Sequence, residues 1–170
     1  IYFMAPVLTF AMTAAITPGP NNIILSTNAV NYGFKETIPL MMGVFFGFLS
    51  VLTLCLLGIG ELYKSFPAIA MIVKIVATCF LVYLSFKIFT SSSFSDEKNS
   101  KKFSFKDIFF FQIINPKAVT VSMSSSAIFI QNKFSYQIEF ILIFLCFVIS
   151  TSTSAIAWAA IGHSFRKYLN

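Results

Sequence analysis

The sequence predicts an all-α integral membrane protein built as an inverted repeat of three-helix units. Apolar residues make up 57% of the 170 residues and charged residues 11%, whereas a soluble domain carries about 25% charged residues. The apolar residues form runs long enough to cross a bilayer core of about 30 Å. Two of these runs are interrupted by proline. So few charges cannot cover a soluble surface, which excludes a soluble enzyme.

Five apolar segments are expected to cross the membrane within a single domain at 1–170. The segments are 1–30, 37–60, 66–89, 108–130 and 140–162. The second segment has Pro39 shortly after Thr37, which predicts a helix start with Thr37 as the capping residue. Residues 91–106 are polar and low in complexity, which predicts a linker between two halves.

The cations predict the orientation of these segments. Eight cations lie on the side of the linker and two lie on the other side. The eight are Lys35, Lys87, Lys98, Lys101, Lys102, Lys106, Arg166 and Lys167, and the two are Lys64 and Lys133. Because cytoplasmic loops carry the excess of lysine and arginine, the linker is expected in the cytoplasm and the amino end outside.

The two halves, 1–90 and 107–170, resemble each other. An offset of 98 residues aligns 16–18 with 114–116 and Lys35 with Lys133. Each half then has a proline-broken segment, a short loop with one lysine, and an unbroken segment. The two lysine loops fall on opposite membrane faces, which is typical of an inverted repeat. The second half has two segments, so we expect it to be truncated, with a sixth helix missing.

The first proline break, Pro18-Gly19-Pro20, is a candidate site. Two prolines that flank a glycine cannot continue a helix, and the freed carbonyls survive in a membrane only beside protein or a watery cavity. The helix that restarts near Asn21 favours an anion such as a substrate carboxylate. Asn21 and Asn22 add donors and acceptors. The alternative is a kink that neighbouring helices stabilise.

The second break, Asn115-Pro116-Lys117, is its counterpart in the other half. A lysine deep in a membrane segment is costly and usually faces a cavity or a partner. Lys117 is expected to hold a carboxylate or to change protonation during transport; the alternative is a side chain that extends to the interface. Gln112 lies upstream on the same segment and is a weaker candidate. We expect Asn21 or Asn22 to lie close to Asn115 or Lys117, around a polar cavity.

Small residues form two further patterns. Gly43 and Gly47 form a GxxxG pair, which favours close helix packing in lipid. Ser122 and Ser126 share one helix face and could line a polar path. Equally, these serines could pack and bond their own backbone.

Several kinds of site have no support in the sequence. The three cysteines lie far apart inside apolar runs and His163 is the single histidine, so neither a disulfide framework nor a metal site is indicated. The cations are scattered rather than gathered on one face, which argues against nucleic-acid binding. No catalytic constellation or cofactor motif is present, so we expect neither an enzyme nor a bound cofactor.

These motifs together resemble the LysE/RhtB family of amino-acid exporters. The matching elements are the PGPN-type motif at 17–22, the turn at 32–35, the glycine pair at 43 and 47, Tyr83-Leu84, and NPK at 115–117. They cover nearly the whole chain in the family's order. The resemblance implies a six-helix inner-membrane protein that expels small amino-acid-type substrates, driven by the proton gradient.

Within the family, the residues around Gly33-Phe34 and the ending Ala157–His163 look most similar to the cysteine/O-acetylserine exporters. Phe48 stands where many lysine-type members carry an acidic residue, which counts against a cationic substrate. The sequence leaves open whether the chain forms a homo-oligomer. The rival interpretation is a helix-bundle membrane module without transport, or an inactive fragment of the exporter. In that module both prolines would pack dry, without a polar cavity between Asn21 and Lys117.

Overall fold

The computed structural model describes residues 2–59, 103–131 and 133–169, together with residues 71, 72, 75, 78, 79 and 82. These parts of the chain are helical and contain no strand. The helices are α1 (Met4–Ile16), α2 (Pro20–Tyr32), α3 (Phe34–Leu54), α4 (Phe105–Ile114), α5 (Pro116–Phe129) and α6 (Tyr136–Leu169). A π-helical turn, Cys55–Ile59, follows α3. Most of the expected third segment at 66–89 and of the linker at 91–106 lies outside the described residues.

The two expected helix breaks are present, and local chemistry explains both. Gly19 is extended, with φ −166° and ψ 176°, and Pro20 opens α2. Proline suits the first helical position because the amide that it lacks would have no partner there. Pro116 opens α5 in the same way, and the Asn115 side-chain oxygen accepts a hydrogen bond from the Lys117 backbone amide at 3.1 Å.

Helix α3 begins earlier than expected, so the prediction that Thr37 caps its start is wrong. The capping residue is Gly33, whose φ of 94° reverses the chain directly from α2 into α3; glycine adopts this conformation without the steric cost of a Cβ. Thr37 lies inside the helix, where its hydroxyl donates to the Gly33 carbonyl and accepts from Asn28 Nδ2, both at 2.9 Å. Pro39 is therefore an interior proline of α3.

Helix α6 extends beyond the expected 140–162 at both ends. The Ser135 carbonyl accepts from the amides of Ile138 and Glu139, which starts the helix four residues earlier than expected. The buried Glu139 carboxylate then accepts from the backbone amides of Gln131 and Lys133 at 2.9 and 2.8 Å. This carboxylate folds the preceding loop onto the first turn of α6.

Helix α6 runs antiparallel to α3 and packs against α1, α2 and α3. At one end the Tyr136 hydroxyl donates to the Leu56 carbonyl, and at the other end Gly33 lies beside Arg166. Two clusters of buried apolar side chains fill the bundle. One contains Val7, Ala11, Phe48, Leu49, Leu52, Leu56, Ala118, Phe129, Ile143, Cys146 and Phe147, and the other contains Ile24, Leu25, Leu40, Val44, Ile108, Phe111 and Ala155.

Helices α3 and α4 approach each other at the glycine pair. A Cβ built on Gly43 would lie 2.8 Å from the Phe105 carbonyl oxygen, and one on Gly47 would lie 2.6 Å from the Phe109 carbonyl oxygen. Contacts this short leave no room for a side chain. The two glycines therefore allow the α3 and α4 backbones to lie in close contact.

Within the part of the chain that the structure describes, two helices are long and apolar enough to cross a membrane, Phe34–Gly58 with 25 residues and Tyr136–Arg166 with 31 residues. At about 1.5 Å per residue, each exceeds the roughly 30 Å of a bilayer core. Their outer faces carry large apolar side chains at helical spacing, which are Ile38, Met42 and Phe46 on α3 and Ile141, Leu145 and Ile149 on α6. Exposed apolar stripes of this kind fit contact with lipid.

Candidate functional site

The two helix breaks lie against each other in the bundle. The side-chain oxygen of Asn21, in the first turn of α2, accepts from Gln112 Nε2 at 2.9 Å and from Asn115 Nδ2 at 3.2 Å. Asn21 Nδ2 donates in return to Gln112 Oε1 at 2.9 Å. Gln112 and Asn115 are buried at the end of α4. This amide cluster ties the start of α2 to the end of α4, as expected from the aligned breaks.

The carbonyls freed at the end of α1, residues 15–17, are satisfied by side chains. Asn22 Nδ2 donates to the Ala15 carbonyl at 2.9 Å and to the Thr17 carbonyl at 3.0 Å. Two side chains of α6 also donate to these carbonyls. The Ser154 hydroxyl donates to the Ala15 carbonyl at 2.7 Å, and Trp158 Nε1 donates to the Ile16 carbonyl at 3.3 Å. Because carbonyls that a helix break frees need partners in a membrane, these side chains make the break tolerable.

Lys117 reaches across the junction from α5 to α1. Its Nζ donates to the Thr17 carbonyl, and its aliphatic stem lies against Gly19. A Cβ built on Gly19 would lie 2.8 Å from Lys117 Cδ and 3.1 Å from Nζ. The side chain therefore crosses to the neighbouring break instead of following α5 to the membrane interface, and Gly19 leaves the space for it.

The junction gathers hydrogen-bond donors. Helices α2 and α5 both begin there, and the first-turn amides of a helix point out of its amino end with a partial positive charge. The Lys117 ammonium group adds a full charge at the same place. The arrangement can therefore hold an anionic group such as a carboxylate.

A cavity of about 50 Å³ lies at this junction. This volume exceeds the roughly 10–15 Å³ that a cavity needs to hold a water molecule, so the cavity can admit water. Its polar lining consists of Asn21, Asn22, Asn115, Lys117, Thr151 and Ser154, and its apolar lining includes Leu25, Val44, Phe48, Val121 and Phe147. The polar part of this lining does not favour the dry packing expected of a helix-bundle module without transport. Lys117 is the only ionisable residue among the described residues of the lining.

The predicted site residues fall into three groups. Gly19, Asn21, Asn22, Asn115 and Lys117 line the cavity. Four more predicted residues shape the junction without lining the cavity. The helix breaks lie at Pro18, Pro20 and Pro116, and Gln112 forms hydrogen bonds with the Asn21 side-chain amide. Ser122 and Ser126 do not line it, because the lining on α5 ends at Val121 and these serines lie farther from the break.

Sequence reasoning missed the contribution of α6. Thr151 and Ser154 line the cavity, and Trp158 caps the α1 break one turn farther on. The three residues recur at helical spacing on one face of an otherwise apolar helix, a pattern from which a polar helix face could have been predicted. The signal is weak because neighbouring hydroxyls such as Ser152 bond their own helix backbone, here the Val148 carbonyl at 2.7 Å.

Comparison with known proteins gives the family. The family model described as LysE type translocator matches residues 12–170. A "Cysteine/O-acetylserine efflux protein" of Shigella flexneri serotype 5b (strain 8401) is 28% identical over 170 residues, which cover 96% of this chain and 87% of the relative. The protein of the same name from Escherichia coli (strain K12) is 28% identical over 160 residues, which cover 94% and 82% of the two chains. No solved structure matches the chain. Because the family match includes both helix breaks and every described residue that lines the cavity, this membrane protein belongs to the LysE type translocator family.

Proposed function

We propose that this protein exports small neutral amino acids or their close derivatives across the bacterial inner membrane, as a multi-pass secondary transporter driven by the proton gradient. The observation that carries the proposal is the position of Lys117, whose ammonium group crosses a polar cavity where two helices begin. The names of the relatives support the direction and the class of substrate, since both are efflux proteins for cysteine and O-acetylserine.

The polar end of the cavity is the proposed binding place for the substrate carboxylate. Lys117 and the first-turn amides of α2 and α5 supply charged and neutral donors, which bind carboxylates strongly in a partly dry site. No aspartate or glutamate is among the described residues of the lining. A cationic substrate side chain would find no opposite charge there, which favours a neutral substrate.

The apolar end of the cavity limits the size of the substrate. Phe48 on α3 and Phe147 on α6 lie with ring centroids 5.4 Å apart, and both line the cavity. With a volume of about 50 Å³, the cavity suits an amino acid with a short side chain. A larger substrate would require the surrounding helices to separate.

Proton coupling needs a step apart from carboxylate binding. A proton antiporter requires that the empty site carry a proton that the loaded site lacks. The Lys117 ammonium group that pairs with the substrate carboxylate keeps its proton in the loaded site, because a neighbouring anion favours the charged form. We therefore assign Lys117 to substrate binding. Exchange of substrate alone, without net export, needs no proton step.

The arrangement of the broken helices supports the inverted repeat of two three-helix units as part of this proposal. Phe10, midway along α1, and Phe129, at the end of α5, have ring centroids 5.6 Å apart, and Phe3 before α1 lies 5.8 Å from Phe134 beyond α5. The pairs α1–α2 and α4–α5 therefore cross the bundle in opposite directions, as an inverted repeat requires. In the proposed orientation, the linker at 91–106 faces the cytoplasm.

The test measures two kinds of transport by the purified protein in liposomes, with labelled O-acetylserine or cysteine. One is uptake driven by an acidic lumen, and the other is exchange against unlabelled substrate without a pH gradient. Lys117→Met should abolish both, because it removes the donors that hold the carboxylate. Lys117→Arg keeps a positive charge and hydrogen-bond donors, so it should retain part of both kinds of transport.

Lys133→Met is the matched control, since this lysine is exposed and lies away from the cavity. It should transport at the parental rate. Parental transport by Lys117→Met would contradict the proposed site. Loss of gradient-driven uptake in Lys117→Arg, with exchange at the parental rate, would instead assign the coupling proton to this lysine.

A further inference from the structure

Most polar side chains that line the cavity are already engaged in holding helix ends. The Asn21 oxygen accepts from Gln112 and Asn115, and the Asn115 oxygen accepts from the Lys117 amide. The Ser154 hydroxyl donates to the carbonyl of Ala15. These groups stabilise the two breaks, so they have limited capacity left for a substrate.

Thr151, in the middle of α6, is different. It is 8% exposed and lines the cavity, and its hydroxyl has no hydrogen-bond partner among the residues that the structure describes. The neighbouring hydroxyls of Ser150, Ser152 and Thr153 donate to carbonyls of their own helix at 3.3, 2.7 and 2.8 Å. Among the described residues, the fully buried side-chain atom without a partner is the Oγ of Ser122, which does not line the cavity. Thr151 does line it, so its unpaired hydroxyl is available to a molecule in the cavity.

The side-chain oxygen of Asn22 shares this property. Asn22 is buried and lines the cavity, and its Nδ2 is committed to two carbonyls of the α1 end. No described group donates to its oxygen. These two oxygens, one on α6 and one on α2, can therefore accept hydrogen bonds in the cavity, in addition to the donors at Lys117.

We propose that Thr151 Oγ1, together with Asn22 Oδ1, receives the ammonium group of the transported amino acid. This inference rests on the proposed function. A zwitterion needs acceptors as well as donors, and no carboxylate is present among the described lining residues to supply them. A hydroxyl can turn its hydrogen away and offer its lone pairs, and an amide oxygen offers two more. Thr151 is then a substrate-binding residue that distinguishes an amino acid from the same molecule without its amino group.

The test is Thr151→Val, which removes the hydroxyl and keeps the shape of the side chain. Its KM for labelled cysteine should rise about tenfold or more, which is the expected effect of losing a hydrogen bond to a charged group. Inhibition by 3-mercaptopropionate, which is cysteine without its amino group, should keep its parental constant. Thr151→Ser should restore the parental KM.

Thr153→Val is the matched control, because this threonine is exposed on the same helix and its hydroxyl bonds its own backbone. It should leave the KM unchanged. If Thr151→Val fails to reach the membrane, Thr151→Ala gives the same comparison with a smaller side chain.

An unchanged KM in the Thr151 variants, with transport lost in Lys117→Met, would overturn this inference and leave the proposed function intact. An equal loss of affinity for cysteine and for 3-mercaptopropionate would also overturn it, since the hydroxyl would then not act on the amino group. Parental transport by both the Thr151 and the Lys117 variants would contradict the proposed site as well.

Discussion

Replacing Gly19 by alanine should impair transport and leave the protein stable. The backbone at Gly19 is extended, a conformation that alanine adopts freely, so the change causes no backbone strain. The new Cβ would lie 2.8 Å from Lys117 Cδ, and the lysine stem must retreat by roughly 0.6 Å to reach an ordinary contact of 3.4 Å. This movement displaces Nζ from the Thr17 carbonyl.

The expected loss of transport follows from the displacement of the lysine. A misplacement of about 1 Å in a binding group can lower turnover by about a hundredfold, so we expect kcat/KM to fall between about tenfold and a hundredfold. Because the displaced group is a flexible side chain, the free energy of unfolding should fall by less than about 1 kcal/mol. Transport in liposomes and thermal unfolding of the same preparation measure the two quantities.

Gly43→Ala is the control, because it creates an overlap of the same size against a different partner. Its Cβ would also lie 2.8 Å from a neighbouring atom, but that atom is the backbone carbonyl oxygen of Phe105. The α4 backbone cannot retreat as a lysine does, so this variant should lose thermal stability while the folded fraction keeps its KM. The reasoning is refuted if Gly19→Ala keeps the parental kcat/KM, or if it loses as much stability as Gly43→Ala.

Two further predictions concern packing and orientation. Gly162→Ala should lower the free energy of unfolding by about 1–3 kcal/mol, because its Cβ would lie 2.7 Å from Ser26 Cα and force α2 away from α6. The control Ala160→Leu, at an exposed position, should leave the free energy of unfolding unchanged. An unchanged melting temperature in Gly162→Ala would argue against this close contact. A cysteine introduced as Ser93→Cys, in a protein whose native cysteines are replaced, should react with a membrane-impermeant thiol reagent only after cells are opened, and labelling of intact cells would reverse the proposed orientation.

The parts of the site that could be predicted from sequence are those fixed by local covalent chemistry. Pro18, Pro20 and Pro116 lack the amide that a continuous helix needs, and their Pro-Gly-Pro and Asn-Pro settings favour a break at both positions. Proline alone does not decide this, since Pro39 lies inside α3. Lys117 can be identified in the sequence as a candidate site residue because a charge far inside an apolar run is costly and needs a partner. The offset between the two breaks also predicts that they meet, since repeated halves place equivalent elements around one site.

The parts that could not be predicted depend on which helix faces which. The helix start at Gly33 instead of Thr37 depends on a glycine conformation that sequence patterns permit without requiring it. Thr151 and Ser152 are adjacent hydroxyls in the same apolar run, yet only Thr151 lines the cavity. The register of α6 against α1 decides between them, and that register comes from tertiary packing rather than from periodicity.

The hydrogen bonds at the α1 break suggest which contact a substrate would disturb. Among the described residues, α6 holds the end of α1 through two side chains, Ser154 and Trp158, whereas α5 holds it through Lys117 alone. On the proposed function, the substrate carboxylate competes with the Thr17 carbonyl for the Lys117 ammonium group. Binding would then release α5 from α1 while α6 stays attached, so the same lysine that recognises the substrate would also loosen one side of the cavity. Lys117→Met, which lacks this bond from the outset, should therefore show no substrate-dependent change in cross-linking between α1 and α5, and a parental change in that variant would contradict the coupling.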